Sequence, residues 1–200
     1  MAEIKKLVVA TGNPGKLKEM QSYLADLTDL GIQLSLKPKS LDIEETGTTF
    51  MENARLKAAQ VAQAMNEWAI ADDSGLEIDA LNGAPGLYSA RYADSDEACI
   101  DRVLREMQDA VNRTAQFVCA VAIARPDGAI ALERTGICRG EILYERRGEG
   151  GFGYDPIFYV PSCQMTFAEM HASTKHEISH RGQAFHHLLP EMKALFSPES

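Results

Sequence analysis

Two pairs of adjacent carboxylates, Glu44-Glu45 and Asp72-Asp73, stand where apolar segments give way to polar ones. Four cations, Lys16, Lys57, Lys175 and Arg181, are distributed around them along the chain. Hard carboxylate oxygens suit Mg²⁺, which keeps waters and substrate phosphates in its coordination shell. Lysine and arginine are the donors that phosphates or a base carbonyl accept from. Such a set fits phosphoryl-type substitution, which is mostly positioning and charge neutralisation and needs no covalent nucleophile. The plainer account makes each acid pair a solvated turn and each cation a surface charge. Asn53 and Arg91 are further polar candidates with weaker claims.

The second pair lies within Trp68-Ala69-Ile70-Ala71-Asp72-Asp73-Ser74-Gly75-Leu76-Glu77-Ile78. Here an apolar run of strand character meets two acids, a hydroxyl and a glycine. In open α/β sheets ligands gather where strands end, so acids at that edge suggest chemistry. Along a strand Asp72 and Asp73 point to opposite faces, and only one aims into a given cleft. An Asx-type turn accounts for the same residues, with Asp73 and Ser74 capping backbone N–H groups and Gly75 taking a positive φ.

Three further stretches carry motif-like spacing. Thr11-Gly12-Asn13-Pro14-Gly15-Lys16 follows a strand and opens a helix. It lacks the Walker A pattern because Ala10 and Leu17 occupy the diagnostic positions, yet helix N–H groups and dipole still favour an anion there. Gly148-Glu149-Gly150-Gly151-Phe152-Gly153 fits G-x-G-x-x-G, but Asp155-Pro156 and an apolar strand come next in place of the helix that a dinucleotide fold needs. A loop presenting Phe152 and Tyr154 to a flat base fits better. His176-Glu177-Ile178-Ser179-His180 is a literal H-E-x-x-H, with His186 at a third-ligand position but Gln183 where the extended motif has glycine. Zinc hydrolysis through it is the rival reading, and it leaves the acid pairs unexplained.

The elements that must position these residues alternate. Ile4 to Ala10 reads as a buried strand, and Leu17, Met20, Leu24 and Leu27 as one face of a helix that begins at Pro14. Ile32 to Leu36 is a half-buried strand, and Leu41 to Gly47 a short extended piece. Thr49 and Glu52 make a capping box for a helix to about Asn66 with Ala54, Ala58, Val61 and Met65 on one face, and Asp94 with Glu97 a second one, for a helix carrying residues to Val111. Phe117 to Ile123 and Ala129 to Thr135 read as a hairpin around Pro126-Asp127-Gly128, Gly140 to Glu145 as another strand, and Ile157 to Val160 as a last one. A final helix carries Phe185, Leu188, Leu189, Met192 and Leu195 and stops at Ser197-Pro198. The pattern predicts an α/β fold with a mixed sheet.

Two hundred residues suit a single domain, 1–200, with a sizeable core, and 45% hydrophobic with 24% charged residues is ordinary for a soluble protein. No run is long enough to span a bilayer, and no signal peptide is visible, so no membrane partner is expected. Cys99, Cys119, Cys138 and Cys163 form no CxxC pair, which fits a reduced, cytoplasmic setting. A net charge of −9 disfavours nucleic-acid binding but leaves room for a small anionic substrate held by local cations.

Taken together the motifs resemble the inosine/xanthosine triphosphate pyrophosphatases of bacterial type. The likeness rests on Thr11-Gly12-Asn13 with Lys16, Glu44-Glu45-Thr46-Gly47, Phe50-x-Glu52-Asn53-Ala54 with Lys57, and Ala71-Asp72-Asp73-Ser74-Gly75. It continues through Gly83-Ala84-Pro85-Gly86-x-Tyr88-Ser89-Ala90-Arg91-Tyr92, Gly150-Gly151-Phe152-Gly153-Tyr154-Asp155-Pro156 and Ser179-His180-Arg181-Gly182. The resemblance implies a long mixed sheet in two lobes around a central cleft, a homodimer, and Mg²⁺-dependent hydrolysis of dITP, ITP and XTP to monophosphate and pyrophosphate. It also implies that Thr11, Gly12, Asn13, Pro14, Gly15 and Lys16 hold phosphates, that Glu44 and Asp73 bind the metal, and that Asp73 accepts the proton of the attacking water. Ser74, Phe152, Gly153, Tyr154, Asp155, Lys175, His180 and Arg181 would contact the nucleotide. Ser173-Thr174 stand where relatives of this type usually carry acids.

Overall fold

The computed structural model describes residues 6–28 and 31–197. Seven strands form one mixed sheet in the order β2-β1-β3-β4-β5-β6-β7: β1 Lys6–Val9, β2 Gln33–Leu36, β3 Trp68–Ile78, β4 Thr114–Ala124, β5 Ile130–Ile142, β6 Phe158–Val160 and β7 Met165–Thr166. Five α-helices accompany them: α1 Pro14–Thr28, α2 Phe50–Met65, α3 Asp96–Glu106, α4 Ala172–Ile178 and α5 His180–Phe196. β1 pairs parallel with both β2 and β3, whereas β6 pairs antiparallel with β5 and β7. The expected mixed α/β architecture is therefore present. The Ile4 end of the first strand and Pro198 lie outside the described residues. Among the described residues no helix is long and apolar enough to cross a membrane.

The chain divides into two compact units. The first comprises the residues through Asp73, Ala120–Gly136 and the residues from Gly182 onward. Its helix α1 buries Met20, Leu24 and Leu27, and α2 buries Ala54, Ala58 and Val61, the faces that the spacing predicts. Tyr23 stacks on Phe185 with centroids 4.8 Å apart, and Trp68 meets Phe196 edge-on. β1 lies between β2 and β3, so right-handed crossovers through α1 and then α2 put the two helices on opposite faces of the three strands. The second unit comprises Ser74–Cys119 and Ile137–Arg181. Its core is built from Leu76, Ile78, Ile100, Val103, Phe117, Phe158 and Phe167, among others.

Several elements differ from expectation for identifiable reasons. The Asp72-Asp73-Ser74-Gly75 stretch is neither a strand end nor a turn, because β3 runs straight through it to Ile78. Gly75 is not among the positive-φ residues. Aspartate and glycine are poor strand formers, but here both acids are buried against lysines, and that tertiary pairing overrides local preference. The two expected strands 129–135 and 140–145 are one strand, β5. Gly140 is needed there for approach and not as a break, since a Cβ would run into the Tyr159 carbonyl oxygen and the Phe158 ring. The N-cap of α3 is Ser95, whose hydroxyl accepts from the Ala98 N–H, and not Asp94. The helix ends at Glu106, leaving Val111 beyond it and 96% exposed.

Candidate functional site

The loop between β1 and α1 is closed by its own residues. The Asn13 N–H bonds Thr11 Oγ1 at 3.2 Å, and Asn13 Oδ1 accepts the Lys16 N–H at 3.0 Å. Asn13 O accepts the Leu17 N–H, so Asn13 acts as the cap and Pro14 takes the first helical position, where a missing N–H costs nothing. Gly12 is exposed, and a Cβ there would meet nothing within 4 Å. The helix start sends the Lys16 side chain to Asp72, with Nζ 3.3 Å from Oδ2.

Asp73 is served by the other helix. Thr49 caps α2 by accepting the Glu52 N–H at 3.1 Å, while the Glu52 carboxylate accepts from the N–H and hydroxyl of Thr48. This is the expected capping box with its return bond displaced by one residue. With the helix so started, Asn53 and Lys57 are one turn apart on one face. Asn53 Nδ2 donates to Asp73 Oδ2 at 3.1 Å, and Lys57 Nζ donates to Asp73 Oδ1 at 3.1 Å. The strand alternation thus holds: Asp72 meets the lysine of α1, and Asp73 meets the side chains of α2. Lys57 also donates to Glu45 Oε1 at 2.6 Å, which joins the acidic loop to the same group. Of the loop pair Glu44 is exposed, and Glu45 is the acid that shares Lys57 with Asp73.

The charges in this cluster act on one another. Burial pushes the Asp73 carboxyl above the ordinary aspartate range, against the pull of Lys57, Lys16 and the Asn53 hydrogen bond. The Glu45 charge pushes in the same direction as burial. Burial alone would lower the Lys57 ammonium, but Asp73, Asp72 and Glu45 together raise it. Asp73 is therefore a stronger base than a solvated aspartate, held where its carboxylate plane is fixed from two sides. Among the described residues no group of three or more His, Cys, Asp or Glu side chains is arranged to hold a metal.

The second unit gathers most of the remaining candidates. Asp155, only 3% exposed, accepts the Phe152 N–H at 2.9 Å and the Lys175 ammonium at 2.6 Å. Lys175 Nζ lies 4.9 Å from the Phe152 ring centroid and 5.4 Å from that of Phe167. Gly151 has a positive φ, and a Cβ on it would collide with the Asp155 carboxylate, so the glycine-rich loop can fold only around this acid. The Gly153 N–H goes to Asp96 Oδ2 at 2.8 Å, and the Tyr154 hydroxyl donates to Ser89 O at 2.9 Å. Arg181, 1% exposed, reaches Ser74 Oγ at 2.9 Å. His180 lies flat on Phe117, with centroids 4.6 Å apart and planes 11° from parallel.

That geometry disposes of the H-E-x-x-H. Its two histidines must share one helical face to bind zinc together. Here α4 ends at Ile178, Ser179 is extended, and α5 begins at His180, so the pair straddles a break. His180 is buried in an aromatic stack, and Glu177 is exposed.

Asn53, Lys57 and Glu45 are more intimately placed than their sequence signals suggest. A signal for the first two existed, in their spacing on a helix whose cap was legible. That Glu45 is the acid reaching Lys57 had none, because an irregular loop has no period to read. Asp96 likewise reaches Gly153 across a sequence gap that no motif spans.

Residues 7–191 match the family model described as the Ham1 family. A dITP/XTP pyrophosphatase of Nostoc sp. is 63% identical over 193 residues, covering 96% of this chain and 97% of that protein. A dITP/XTP pyrophosphatase of Synechocystis sp. is 57% identical, covering 94% of this chain and 96% of its own. The HAM1 protein of Coxiella burnetii superposes with a TM-score of 0.86 at 44% identity over 95% of this chain and 99% of that one. The Ham1 protein of Staphylococcus aureus gives 0.84 at 42% identity over 96% and 100%.

Proposed function

The chain belongs to the Ham1 family, and from that membership and the setting of Asp73 we propose that it hydrolyses dITP, ITP and XTP to the nucleoside monophosphate and pyrophosphate. The reading supposes that water forms a bond to the α phosphorus, that the bond from that phosphorus to the bridging oxygen of the α–β linkage breaks, and that pyrophosphate departs. The observation that carries it is the buried Asp73 carboxylate, made more basic by burial and gripped by Asn53 and Lys57.

In this reading Asp73 orients the water through hydrogen bonding and takes its proton. Lys16 and Lys57 offset phosphate charge, and the 11–16 loop presents the positive end of α1 to it. Phe152 offers a ring face to the purine, and Lys175 and Asp155 keep that ring in place. Hypoxanthine and xanthine carry a 6-oxo acceptor, whereas adenine carries a 6-amino donor. Donors from Lys175, His180 and Arg181 suit the first and leave groups unpaired against the second.

The donor set fits Mg²⁺. Two lysines face three carboxylates, Glu45, Asp72 and Asp73, which leaves the cluster without surplus positive charge for a triphosphate. Carboxylate oxygens of Asp73 and of the Glu44-Glu45 loop would hold the ion, and substrate phosphates would complete its shell, as this cation prefers. When bound, it would neutralise phosphate charge and make water more acidic. A homodimer belongs to the same proposal, and sedimentation would test it.

The deciding experiment gives metal-stripped protein ITP, XTP, GTP and ATP, returns Mg²⁺ or Zn²⁺, and separates pyrophosphate from orthophosphate. Pyrophosphate from ITP and XTP with Mg²⁺, lost in Asp73→Asn, is the expected result. Orthophosphate as product, or full activity in folded Asp73→Asn, would overturn the proposal.

A further inference from the structure

We infer that Asn53 is a positioning residue that latches the 44–47 loop to the Asp73 carboxylate, fixing the base and the loop acids with one side chain. The inference rests on the reading of Asp73 as base given above. Asn53 is 2% exposed, and both ends of its amide are engaged. Oδ1 accepts the Gly47 N–H at 2.8 Å, and Nδ2 donates to Asp73 Oδ2 at 3.1 Å. An N–H can only donate and a carboxylate can only accept, so one amide orientation alone satisfies both.

Lys57 makes the parallel link, through Glu45 Oε1 and Asp73 Oδ1. The two links differ in kind. An ammonium is a point charge on a flexible stem, free to follow an incoming phosphate, whereas the planar amide sets a direction. Asn53 is thus the group that holds the Asp73 plane when Lys57 turns to other partners.

Gly47 supplies the independent observation. A Cβ there would lie 2.6 Å from Asn53 Oδ1 and 2.7 Å from Glu52 Cβ. Its φ is not in the left-handed region, so the requirement for glycine is one of approach and not of backbone conformation. The loop is shaped so that its N–H can reach Asn53.

The test uses Asn53→Asp, Asn53→Leu and Gly47→Ala in the full chain, with kcat and KM for ITP, the melting temperature, and affinity for an α,β-imido ITP analogue. Asn53→Asp keeps the acceptor for Gly47 but loses the donor to Asp73. Gly47→Ala disturbs the latch from the loop side and stays informative if Asn53→Leu does not fold. The expected result is a fall in kcat of about 100-fold, the scale of a displaced catalytic group. Analogue affinity should fall by much less than kcat and the loss should persist well below each melting temperature, as misplacement of a base that acts mainly in the transition state requires. Folded variants with kcat close to wild type, or a loss of kcat that disappears on cooling in step with recovered folding, would overturn the latch. Asp73→Asn is assayed alongside. If it is inactive while the Asn53 variants turn over normally, only the latch falls. If it is active, the base reading falls and the latch with it.

Discussion

Lys57→Met removes the ammonium that stands between two carboxylates while keeping most of the buried stem. Lys57 Nζ is 2.6 Å from Glu45 Oε1 and 3.1 Å from Asp73 Oδ1, and the side chains of Lys57 and Asp73 are only 13% and 10% exposed. At an effective dielectric of about 20 each contact is worth roughly 5–6 kcal/mol before desolvation. Desolvation of the lysine offsets much of that, and removing one partner of a buried pair leaves a net cost of about 3–5 kcal/mol. For a chain of this size each kcal/mol lowers the melting temperature by about 2–4 °C, so Lys57→Met should melt about 6–20 °C lower in metal-free buffer. Differential scanning calorimetry with chelator present measures this directly. Because the variant removes the cation between Asp73 and Glu45, millimolar Mg²⁺ should raise its melting temperature more than that of the wild type. A chelated Lys57→Met protein melting within about 2 °C of wild type would refute the reasoning, since no buried charge would then have been left uncompensated.

Phe152→Ala should raise KM for ITP by about tenfold with kcat little changed, as loss of a base-stacking face predicts; unchanged KM in steady-state assays would refute stacking. Glu177→Ala should leave pyrophosphate release with Mg²⁺ within about twofold of wild type, because exposed positions away from the chemistry tolerate change; loss of activity would return the H-E-x-x-H to consideration. Burial pushes the Cys138 thiol up to about 11. At pH 8 only about one molecule in a thousand then carries its thiolate, so iodoacetamide should modify the partly exposed Cys163 much faster than Cys138 in a peptide-mapped time course. Equal rates would contradict the burial.

What was legible in the chain was what depends on neighbours in sequence. Pro14 at the head of α1, the Thr49 cap of α2 and the apolar faces of both helices follow from periods and caps, and the structure has each of them. The course of β3 was not legible, because Asp72-Asp73-Ser74-Gly75 reads locally as a turn. Its place between β1 and β4, with the acids buried against Lys16 and Lys57 from two different helices, keeps it a strand. The H-E-x-x-H failed for the complementary reason. Its residues are individually compatible with a helix, but one extended residue, Ser179, divides it, and that depends on how His180 and Arg181 are buried. The motifs shared with the pyrophosphatases contain Asn53, Lys57, Asp73, Asp155 and Arg181, which are all seen engaged, yet could not say which acid of a pair faces inward.

The balance of charge shows why the net value was a weak guide to substrate. The chain carries −9 overall, which would repel a triphosphate if the far field decided binding. Much of that charge sits on exposed side chains, and salt screens such charges beyond about 8 Å under physiological conditions. Lys16 and Lys57, by contrast, are 15% and 13% exposed, and act across short distances in a medium that screens them poorly. The two lysines and the three carboxylates beside them offset one another at close range, so the local balance and not the net charge of the chain decides what an anion meets there. An anion gains there only if a cation such as the proposed Mg²⁺ comes with it to offset Asp73 and Glu45. That is a demand on chemistry as well as charge, and under the proposed function it accounts for an acidic protein that takes a highly charged substrate.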